Sequence, residues 1–575
     1  MPRVSPRRRE VLIAAALTPL YILLRGYAFG TRDHAIHLAY IERAADPGFL
    51  PGDPMLDVAV HHPSFFFPAL ALLSRFASLE CIYFIGYMLS VFAMILGLRA
   101  LARSLWSGPA GAWAAAVAVA GAVVHRFVAG AIENFDILFI PRVASLGLLL
   151  FALALGARRR FIPAFGLTGA VFLVHATTAA HTAFILWVCC ALGGRANLRQ
   201  CLLGPVVFLA GAAPLLIMIA VHGGPDIPTP APEKWIQALK LHYAFHHFPK
   251  PWVIISKVGP GIAAVLLGVV VSRWRGAGRT LTGYLAGILG LMVAGSIGNS
   301  LLAWPVTIHL HLFEAGRMLD CIAIVALGRW SFSILGGPWP AKLACWVTVA
   351  AHLIRINLHE WVRYRFVPDF IILIAALLIT VIKRRGQVQR PRTDSIHRSW
   401  YGLVAASCIL LMTVSGWIPA WNFCGAGQRG CRLMEWARGN LAPDAVVIIP
   451  PYMEEPVAAF RYFARRRTVG SWKDGGEGTF DHDYQLLWER QVRDITGIGD
   501  TIQVPAGSVY WLNYFDWLHD AHQSYHRMPA QHFLDMALAY GATHVVRETW
   551  APRLSLPVLY QDEEYVLYAT PCTAP

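Results

Sequence analysis

The stretch TRDHAIHLAYIERAADPGFLPGDP, residues 31–54, comes directly after the first hydrophobic segment of the chain, and the rest of the sequence is best understood outward from it. It places Asp33, Glu42, Asp46 and Asp53 just beyond a predicted membrane exit. A charge at that depth is costly in lipid, so it persists mainly where it faces water, a partner or a substrate. A carboxylate at a water-filled membrane boundary can act as a general base or hold a metal ion. We therefore predict that this loop carries the chemistry and that the other segments form its scaffold.

The composition is that of a polytopic all-α membrane protein. Of the 575 residues, 56% are hydrophobic and only 14% are charged, and the mean hydropathy is +0.49. Soluble globular chains average about 25% charged residues. The net charge of +15 follows from Arg and Lys in the short loops between hydrophobic segments, as the orientation of membrane proteins requires. No soluble face has basic residues interleaved along it, so the sequence predicts a lipid bilayer and no nucleic acid as partner.

About thirteen membrane-spanning helices are predicted, each from a hydrophobic run close to the roughly 20 residues that cross a bilayer. They lie near residues 10–27, 80–101, 110–128, 137–156, 161–178, 180–193, 201–221, 252–272, 280–300, 317–335, 342–357, 366–383 and 400–419. With the N-terminus inside, every basic cluster falls on the cytoplasmic side. The segment 64–78 is short and contains Pro68 and Arg75, so we place it along the outer interface or tucked back into the bundle.

Two domains follow from this pattern. Residues 1–419 form the transmembrane domain, with a first external loop at 28–79 and a long external loop at 223–252, where WIQALKLHYAFHH predicts a short helix. Residues 420–575 are polar and contain the strand-like runs DAVVIIPP, HVVRE and YVLYAT, which predict an α/β domain outside the cytoplasm. Cys424 and Cys431 follow the last span, where an oxidising compartment favours a disulfide.

Candidate site residues lie at the outer ends of the predicted spans. Asp33 is a candidate general base, with a solvated acid or a partner of Arg32 or Arg43 as the alternative. Asp53 is a candidate substrate ligand, although an Asp in PGDP equally shapes a turn. Further along, Glu133 precedes a span and Arg142 begins it. Arg142 either reaches the membrane surface or points inward, where its planar fork suits a phosphate.

Two histidine pairs and one charged pair complete the candidates. His246 and His247 lie in the long external loop, and either of them can reach a substrate phosphate or hydroxyl, or have no role at the surface. Arg317 lies at the mouth of a span and is a candidate for an anionic lipid headgroup; its alternative is a helix-stabilising pair with Glu314, three positions earlier. His175 and His181, six apart, do not match one helical face and indicate capping or interhelical hydrogen bonds.

The topology resembles that of the GT-C glycosyltransferases. The likeness is architectural and covers the whole chain: a cytoplasmic N-terminus, a long acidic loop after the first span, about thirteen spans and an external C-terminal domain. It implies transfer of a sugar from a polyprenyl-phosphate carrier to a glycan, lipid or protein acceptor at the outer face of a bacterial cytoplasmic membrane. It also implies that Asp33 is the catalytic base and that basic residues stabilise the phosphate. The first loop departs from the mannosyltransferase pattern because His34, not Glu, follows Asp33, which leaves a divalent cation as an open requirement.

A more specific resemblance is to a group of uncharacterised bacterial polytopic proteins that share a domain of unknown function. The first loop is similar in its DPxLxxxD-like pattern, and the long loop is similar in its pair of adjacent histidines. The C-terminal domain is similar in a PxDAxxxxPP strand and in an arginine-rich segment that ends in lysine. The matching residues are Asp46 to Leu50, Asp53, His246, His247, Pro443 to Ala445, Pro450, Pro451 and Arg465 to Lys473. This group brings no established activity.

Two other function classes stay open from the sequence. A transporter or flippase for a lipid or polar solute predicts repeats in the two halves and charged or broken helices near the middle of the membrane. We find no clear repeat, and the ionisable residues lie at the outer ends of spans. A non-catalytic protein of cell-envelope assembly predicts that Asp33 is dispensable. The sequence favours the enzyme.

Overall fold

The structure is a computed structural model that describes residues 5–123, 133–194, 197–249, 251–272, 276–335, 420–422, 430–451, 456–498 and 510–571. The N-terminal part is helical. Its longer helices are α1 (Pro6–Arg25), α2 (His34–Ala45), α3 (Pro54–Asp57), α4 (Phe66–Leu73), α5 (Leu79–Leu105), α6 (Gly108–Ala122), α7 (Pro141–Ala157), α8 (Phe161–Phe172), α9 (Ala176–Ala191), α10 (Leu198–His222), α11 (Glu233–His247), α12 (Pro251–Ser272), α13 (Ala277–Ser300), α14 (Pro305–His309) and α15 (Gly316–Leu335).

Each predicted span up to residue 335 coincides with a helix, whereas the predicted spans at 342–357, 366–383 and 400–419 lie outside the described residues. By length and composition, three described helices can cross a membrane: α5, α10 and α13. Other apolar helices are shorter; α8 has only 12 residues, whereas a span needs about 20. The chain is therefore a membrane protein by its helices, and the count of about thirteen spans stays a prediction.

The segment after the first loop is bent back on itself. The short helical stretch Pro54–His61 and helix α4 together have the composition of one span, but they meet at an angle of 117°. The sequence Pro-Ser, residues 63–64, separates them, and the Ser64 hydroxyl donates to the carbonyl of Val174. A bend of this size agrees with the prediction that segment 64–78 tucks back into the bundle.

The helices pack closely where small residues face each other. Helices α5 and α7 approach at Gly97 and Gly147, where a Cβ on Gly97 would lie 2.7 Å from the carbonyl oxygen of Gly147. Only glycine permits this backbone separation, and close approach through small residues is how helices associate in a membrane. This contact positions the start of α7, which carries Arg142.

The C-terminal part contains helices packed around a mixed sheet. Its elements are α16 (Cys431–Asn440), β3 (Val446–Ile448), α17 (Phe460–Ala464), β4 (Arg467–Val469), α18 (His482–Thr496), α19 (Tyr510–Arg527), α20 (Ala530–Tyr540), β5 (His544–Glu548), β6 (Val558–Gln561) and β7 (Tyr565–Ala569). The sheet order is β4-β3-β5-β7-β6, with β3 parallel to β4 and β5 and with β7 antiparallel to β5 and β6. The strands predicted from DAVVIIPP, HVVRE and YVLYAT are confirmed as β3, β5 and β7.

A second, two-stranded sheet joins the end of the first helix to the segment that begins the C-terminal part. Strand β1 (Gly26–Ala28), which follows α1, pairs in parallel with β2 (Ala420–Asn422), which begins the C-terminal part. The first loop and the C-terminal domain therefore start from adjacent backbone. Cys431 is disulfide-bonded, whereas Cys424 lies outside the described residues, so that pairing stays a prediction.

Candidate active site

Asp33 lies between two cationic side chains. It precedes the first turn of α2, yet its carboxylate makes no capping hydrogen bond to that helix. Instead, Lys473 donates from Nζ to Oδ1 at 3.0 Å, and an Arg142 nitrogen lies 2.8 Å from Oδ2. The Asp33 side chain is 21% exposed, so the group is neither fully solvated nor sealed. The structure thus gives Asp33 partners other than the neighbouring Arg32 and Arg43.

Arg142 connects the first loop to the second. It follows Pro141 at the start of α7, and besides Asp33 it donates to Asp136 Oδ2 at 2.8 Å. Of the two predicted orientations, the structure has the one in which Arg142 meets an anion. One guanidinium nitrogen, Nη2, thus bridges the carboxylates of Asp33 and Asp136.

The electrostatic state of Asp33 follows from these partners. Burial by itself would raise the pKa of Asp33, but the charges of Lys473 and Arg142 outweigh it and hold the pKa well below its usual range. Asp33 is therefore ionised throughout the neutral pH range. A general base works best with a pKa near the working pH, so Asp33 is a weak base while both cations remain on it.

Glu133 and Asn134 fix the loop that precedes α7. Glu133 is buried and forms ion pairs with Arg25 and Arg32, the second at 3.0 Å. Asn134 donates to Asp320 Oδ2 at 2.8 Å. These contacts link α1, the first loop and α15, so Glu133 lies beside the Asp33 cluster in a structural ion-pair network.

Arg317 is buried beneath this cluster, with 1% of its surface exposed. It donates to two backbone oxygens, those of Asn134 at 3.3 Å and of Arg142 at 3.4 Å. Carbonyl oxygens do not neutralise its charge, and its Nε has no hydrogen-bond partner among the described residues. Arg317 therefore adds to the site a positive charge that forms no ion pair among the described residues.

The alternative of a helix-end pair between Glu314 and Arg317 is not found as an ion pair among the described residues, although the charge of Arg317 acts on the pKa of Glu314. Glu314 lies in a 3-10 turn, Leu312–Ala315, that precedes α15, so the two residues do not share one α-helical face. Glu314 Oε1 instead lies 3.4 Å from Nδ1 of His311. Burial raises the pKa of Glu314, and the charges of Arg317 and Arg142 do not offset the effect.

Several buried polar atoms in this region have no hydrogen-bond partner among the described residues. Native proteins pair nearly all such atoms, and an exception calls for a ligand, water or ion. The atoms are Nε of Arg142, Nε of Arg317, Oε2 of Glu314 and Nδ1 of His37. Together with the cations on Asp33, they indicate a polar site that a charged ligand would complete.

The adjacent histidines of α11 lie near His311. His247 is buried, and its ring centroid is 4.5 Å from that of His311, the residue that faces Glu314. The ring of His246 lies 6.4 Å from that of His247. The structure therefore places His247 beside His311, on the side of Glu314.

His175 and His181 have structural roles, as predicted. His175 accepts a hydrogen bond from the Thr178 backbone N–H and so caps α9. The Nε2 of His181 is 2.7 Å from the Leu310 carbonyl oxygen.

Lys473 is the site residue that the sequence did not reveal, because it comes from the C-terminal domain. It begins a 3-10 helix, Lys473–Thr479, in the polar, glycine-rich run WKDGGEGT. Glu477 Oε2 lies 3.0 Å from Nδ1 of His62, and Asp481 Oδ2 lies 2.7 Å from Nδ1 of His61. The contacts of Glu477 and Asp481 therefore hold this run against the first loop. The sequence showed an arginine-rich segment that ends in Lys473, but it did not indicate the contact of Lys473 with Asp33.

Asp53 anchors the same domain. It is fully buried, accepts from the Met55 backbone N–H at 3.1 Å, and receives Arg461 Nε on its other oxygen at 2.7 Å. Arg461 also donates two hydrogen bonds, each 2.8 Å long, to Asp474. Asp53 thus shapes the turn and docks the C-terminal domain, and both of its oxygens are engaged in these contacts.

We expect Gly475→Ala to loosen the run that carries Lys473. A Cβ at Gly475 would lie 2.6 Å from the Trp488 ring and 2.7 Å from the His242 ring, and both rings are buried. Overpacking of this kind costs about 1–3 kcal/mol. Thermal unfolding should show a lower melting temperature for this variant. Gly439→Ala is the control, since a Cβ there meets nothing within 4 Å; an equal effect of both changes would contradict the packing argument.

We expect the stability to fall on mild acidification, in part through His311. Burial, followed by the charges of His62 and Arg142, lowers the pKa of His311 to about 4 from the ordinary 6.5. The unfolded chain therefore takes up the proton first, so this contribution to stability is complete above about pH 6.5 and declines as the pH falls toward 4.

The His311→Asn variant removes the contribution of His311 to the pH dependence of stability, because Asn does not titrate and tolerates the positive φ of 45° at this position. Its melting temperature should decline less between pH 7 and pH 4.5 than that of the wild type. Parallel declines of the two proteins would assign the pH dependence to other groups.

Comparison with known proteins gives the following similarities. Residues 430–495 match a family model described as a domain of unknown function, DUF6798, and this segment contains Arg461, Lys473 and Asp474. The chain is similar to the crystal structure of ArnT from Cupriavidus metallidurans bound to undecaprenyl phosphate, at 14% identity and a TM-score of 0.44, with 98% of each chain covered. It is similar to apo ArnT from the same organism at 15% identity and a TM-score of 0.46, with the same coverage. No curated protein sequence matches the chain.

Proposed function

We propose that the protein is an integral membrane glycosyltransferase that moves a sugar from a polyprenyl-phosphate carrier to an acceptor. In this proposal, the reaction takes place at the outer face of a bacterial cytoplasmic membrane, with the N-terminus inside and the C-terminal domain outside. The observation that carries the proposal is the position of Asp33, a carboxylate directly after the first span, between Lys473 and Arg142.

The cations would hold the phosphate of the donor. A phosphate can bind Lys473 and the fork of Arg142, and the buried Arg317, which donates to the backbone of Arg142, adds a further positive charge. Preorganised positive groups stabilise most strongly the charge that develops on a leaving phosphate. The unsatisfied Nε atoms of both arginines are further donors for the same anion.

Phosphate binding would also activate Asp33. The charges of Lys473 and Arg142 are what keep the pKa of Asp33 low, so an anion that draws them away lets the pKa rise toward its ordinary value. Asp33 then becomes a competent base only when the donor is in place. It would accept the proton of an acceptor hydroxyl as the new bond from that oxygen to the sugar forms and the bond between the sugar and the phosphate breaks.

In the proposed reaction, no step involves a divalent cation. Both oxygens of Asp33 face cationic side chains, which would repel a metal ion from the same position.

Glu314 has a different role: as a buried carboxyl with a raised pKa, it is suited to donate a hydrogen bond to the ligand. His247 would support it through His311.

Turnover of donors by the full-length protein tests the function. The purified protein in lipid nanodiscs would be given a panel of radiolabelled polyprenyl-phosphate sugars, and release of the sugar or of the lipid phosphate would be measured. We expect one donor class to be turned over, at least by slow hydrolysis. Absence of both turnover and saturable binding for every donor would contradict the proposal and favour a transporter or an assembly protein.

A further inference from the structure

A second cluster of titratable groups lies inside the C-terminal domain, between helix α19 and strand β5. His522 and His526 are four positions apart on α19 and therefore share one helical face. Glu548 is the last residue of β5, and its Oε2 lies 3.6 Å from Nε2 of His522 and 4.0 Å from Nε2 of His526. One ligand atom from each residue lies within 4.8 Å of the other two.

His526 is buried without a hydrogen bond to any described residue. It is 0% exposed, and neither ring nitrogen has a hydrogen-bond partner among the described residues. Leaving a buried polar group unsatisfied is unfavourable, so such groups normally have a hydrogen bond, a water or an ion. The unpaired nitrogens of His526 therefore point to a ligand at this position.

The protonation state suits a metal ion. Burial, and next the neighbouring His522, lowers the pKa of His526 to about 3. The imidazole is thus neutral at physiological pH and offers a lone pair, whereas a protonated ring would repel a cation.

The surroundings hold the carboxylate in place. The indole Nε1 of Trp550 donates a short hydrogen bond to Glu548 Oε2. The same indole lies with its ring centroid 4.8 Å from that of His526. Metal-binding side chains are commonly oriented by such an outer layer of hydrogen bonds and packing.

We propose that His522, His526 and Glu548 form a zinc site that clamps helix α19 to strand β5. Two imidazoles on one helical face and one carboxylate are a donor set that zinc accepts, with water in the fourth position. Zinc–ligand bonds of about 2.0–2.2 Å put neighbouring ligand atoms roughly 3.3 Å apart, so the present separations from Glu548 need only a small contraction. The site does not depend on the proposed transferase reaction, because none of its residues contacts Asp33, Arg142 or Lys473 among the described residues.

Metal content and thermal unfolding of the full-length protein test this site. The protein would be prepared without a polyhistidine tag, stripped with a chelator, titrated with Zn²⁺ and dialysed, and the bound zinc would be measured by mass spectrometry. The variants are His522→Gln, His526→Gln and Glu548→Gln. The matched control is His519→Gln, an exposed histidine on the same helix.

The wild type and His519→Gln should retain one zinc ion per chain and gain melting temperature when zinc is added. Each ligand variant should bind zinc at least about 10- to 100-fold more weakly, because the loss of a residue that only orients a ligand already has an effect of this size. Zinc should also no longer raise the melting temperature of these variants. If His526→Gln does not fold, His522→Gln decides the matter, because His522 is only partly buried. A wild type that keeps no zinc, or a His522→Gln variant that binds zinc as the wild type does, would overturn the proposal.

Discussion

Replacing Asp33 by Asn is expected to lower donor turnover by about 10²- to 10⁴-fold, the usual contribution of a positioned general base. Asn has nearly the same shape but cannot take the proton of the acceptor hydroxyl. The fold should survive, since Arg142 keeps its second partner Asp136 and the side chain of residue 33 is partly exposed. Initial rates in nanodiscs with the preferred donor, together with the melting temperature, measure both effects.

Asp46→Asn provides the matched control for this result. Asp46 lies in the same loop, is exposed, and only accepts a hydrogen bond from the Gly48 backbone, which an Asn oxygen can replace. Its turnover should equal that of the wild type. Equal turnover in Asp33→Asn would instead move the base to another carboxylate. Glu314 would be the first alternative, because Asp53 and Glu133 are held in ion pairs.

Replacing Arg461 by Leu is expected to destabilise the docking of the C-terminal domain by about 3–5 kcal/mol, as the loss of one partner of a buried ion pair does. Arg461 is 2% exposed and holds both Asp53 and Asp474, so its removal leaves two buried carboxylates without their cation. Urea unfolding followed by tryptophan fluorescence should show the loss. Turnover should fall with it, because Asp474 adjoins Lys473.

Two further variants separate charge from packing in this test. Arg490→Leu is the surface control, an exposed arginine on α18 that should change stability little. The triple variant Arg461→Leu, Asp53→Asn, Asp474→Asn removes the stranded charges and should recover part of the lost stability. If the single variant unfolds like the wild type, or the triple variant is no better than the single one, the buried charges are not what holds the domain.

Local patterns in the sequence were sufficient to predict much of the fold. Hydropathy located helices through residue 335, and β-branched runs located the strands β3, β5 and β7, because both signals depend on neighbouring residues. The same logic identified Asp33 by its place after the first span. The alternative pair of Glu314 with Arg317 is not found as an ion pair among the described residues, because the spacing of three assumes a continuous α-helix, whereas a 3-10 turn follows His311 at a φ of 45°.

The composition of the site could not be predicted in this way. Lys473 and Asp33 are 440 positions apart, and Arg461 and Asp53 are 408 apart. These contacts form because the C-terminal domain docks on the first loop. The hydrophobic periodicity of a sequence does not predict which surfaces pack against each other. The arginine-rich segment that ends in Lys473 was visible in the sequence, but its acidic partners were not.

The central claim is that Lys473 of the C-terminal domain and Asp33 and Arg142 of the transmembrane domain form one anion site. Equilibrium binding of radiolabelled polyprenyl phosphate to the protein in nanodiscs tests it most directly, with wild type compared with Lys473→Met. Lys234→Met, an exposed lysine on α11, is the control. A charge-assisted hydrogen bond contributes about 1.5–3 kcal/mol, so Lys473→Met should raise the Kd roughly 10- to 150-fold and Lys234→Met should leave it unchanged. The same Kd in all three proteins would contradict the account.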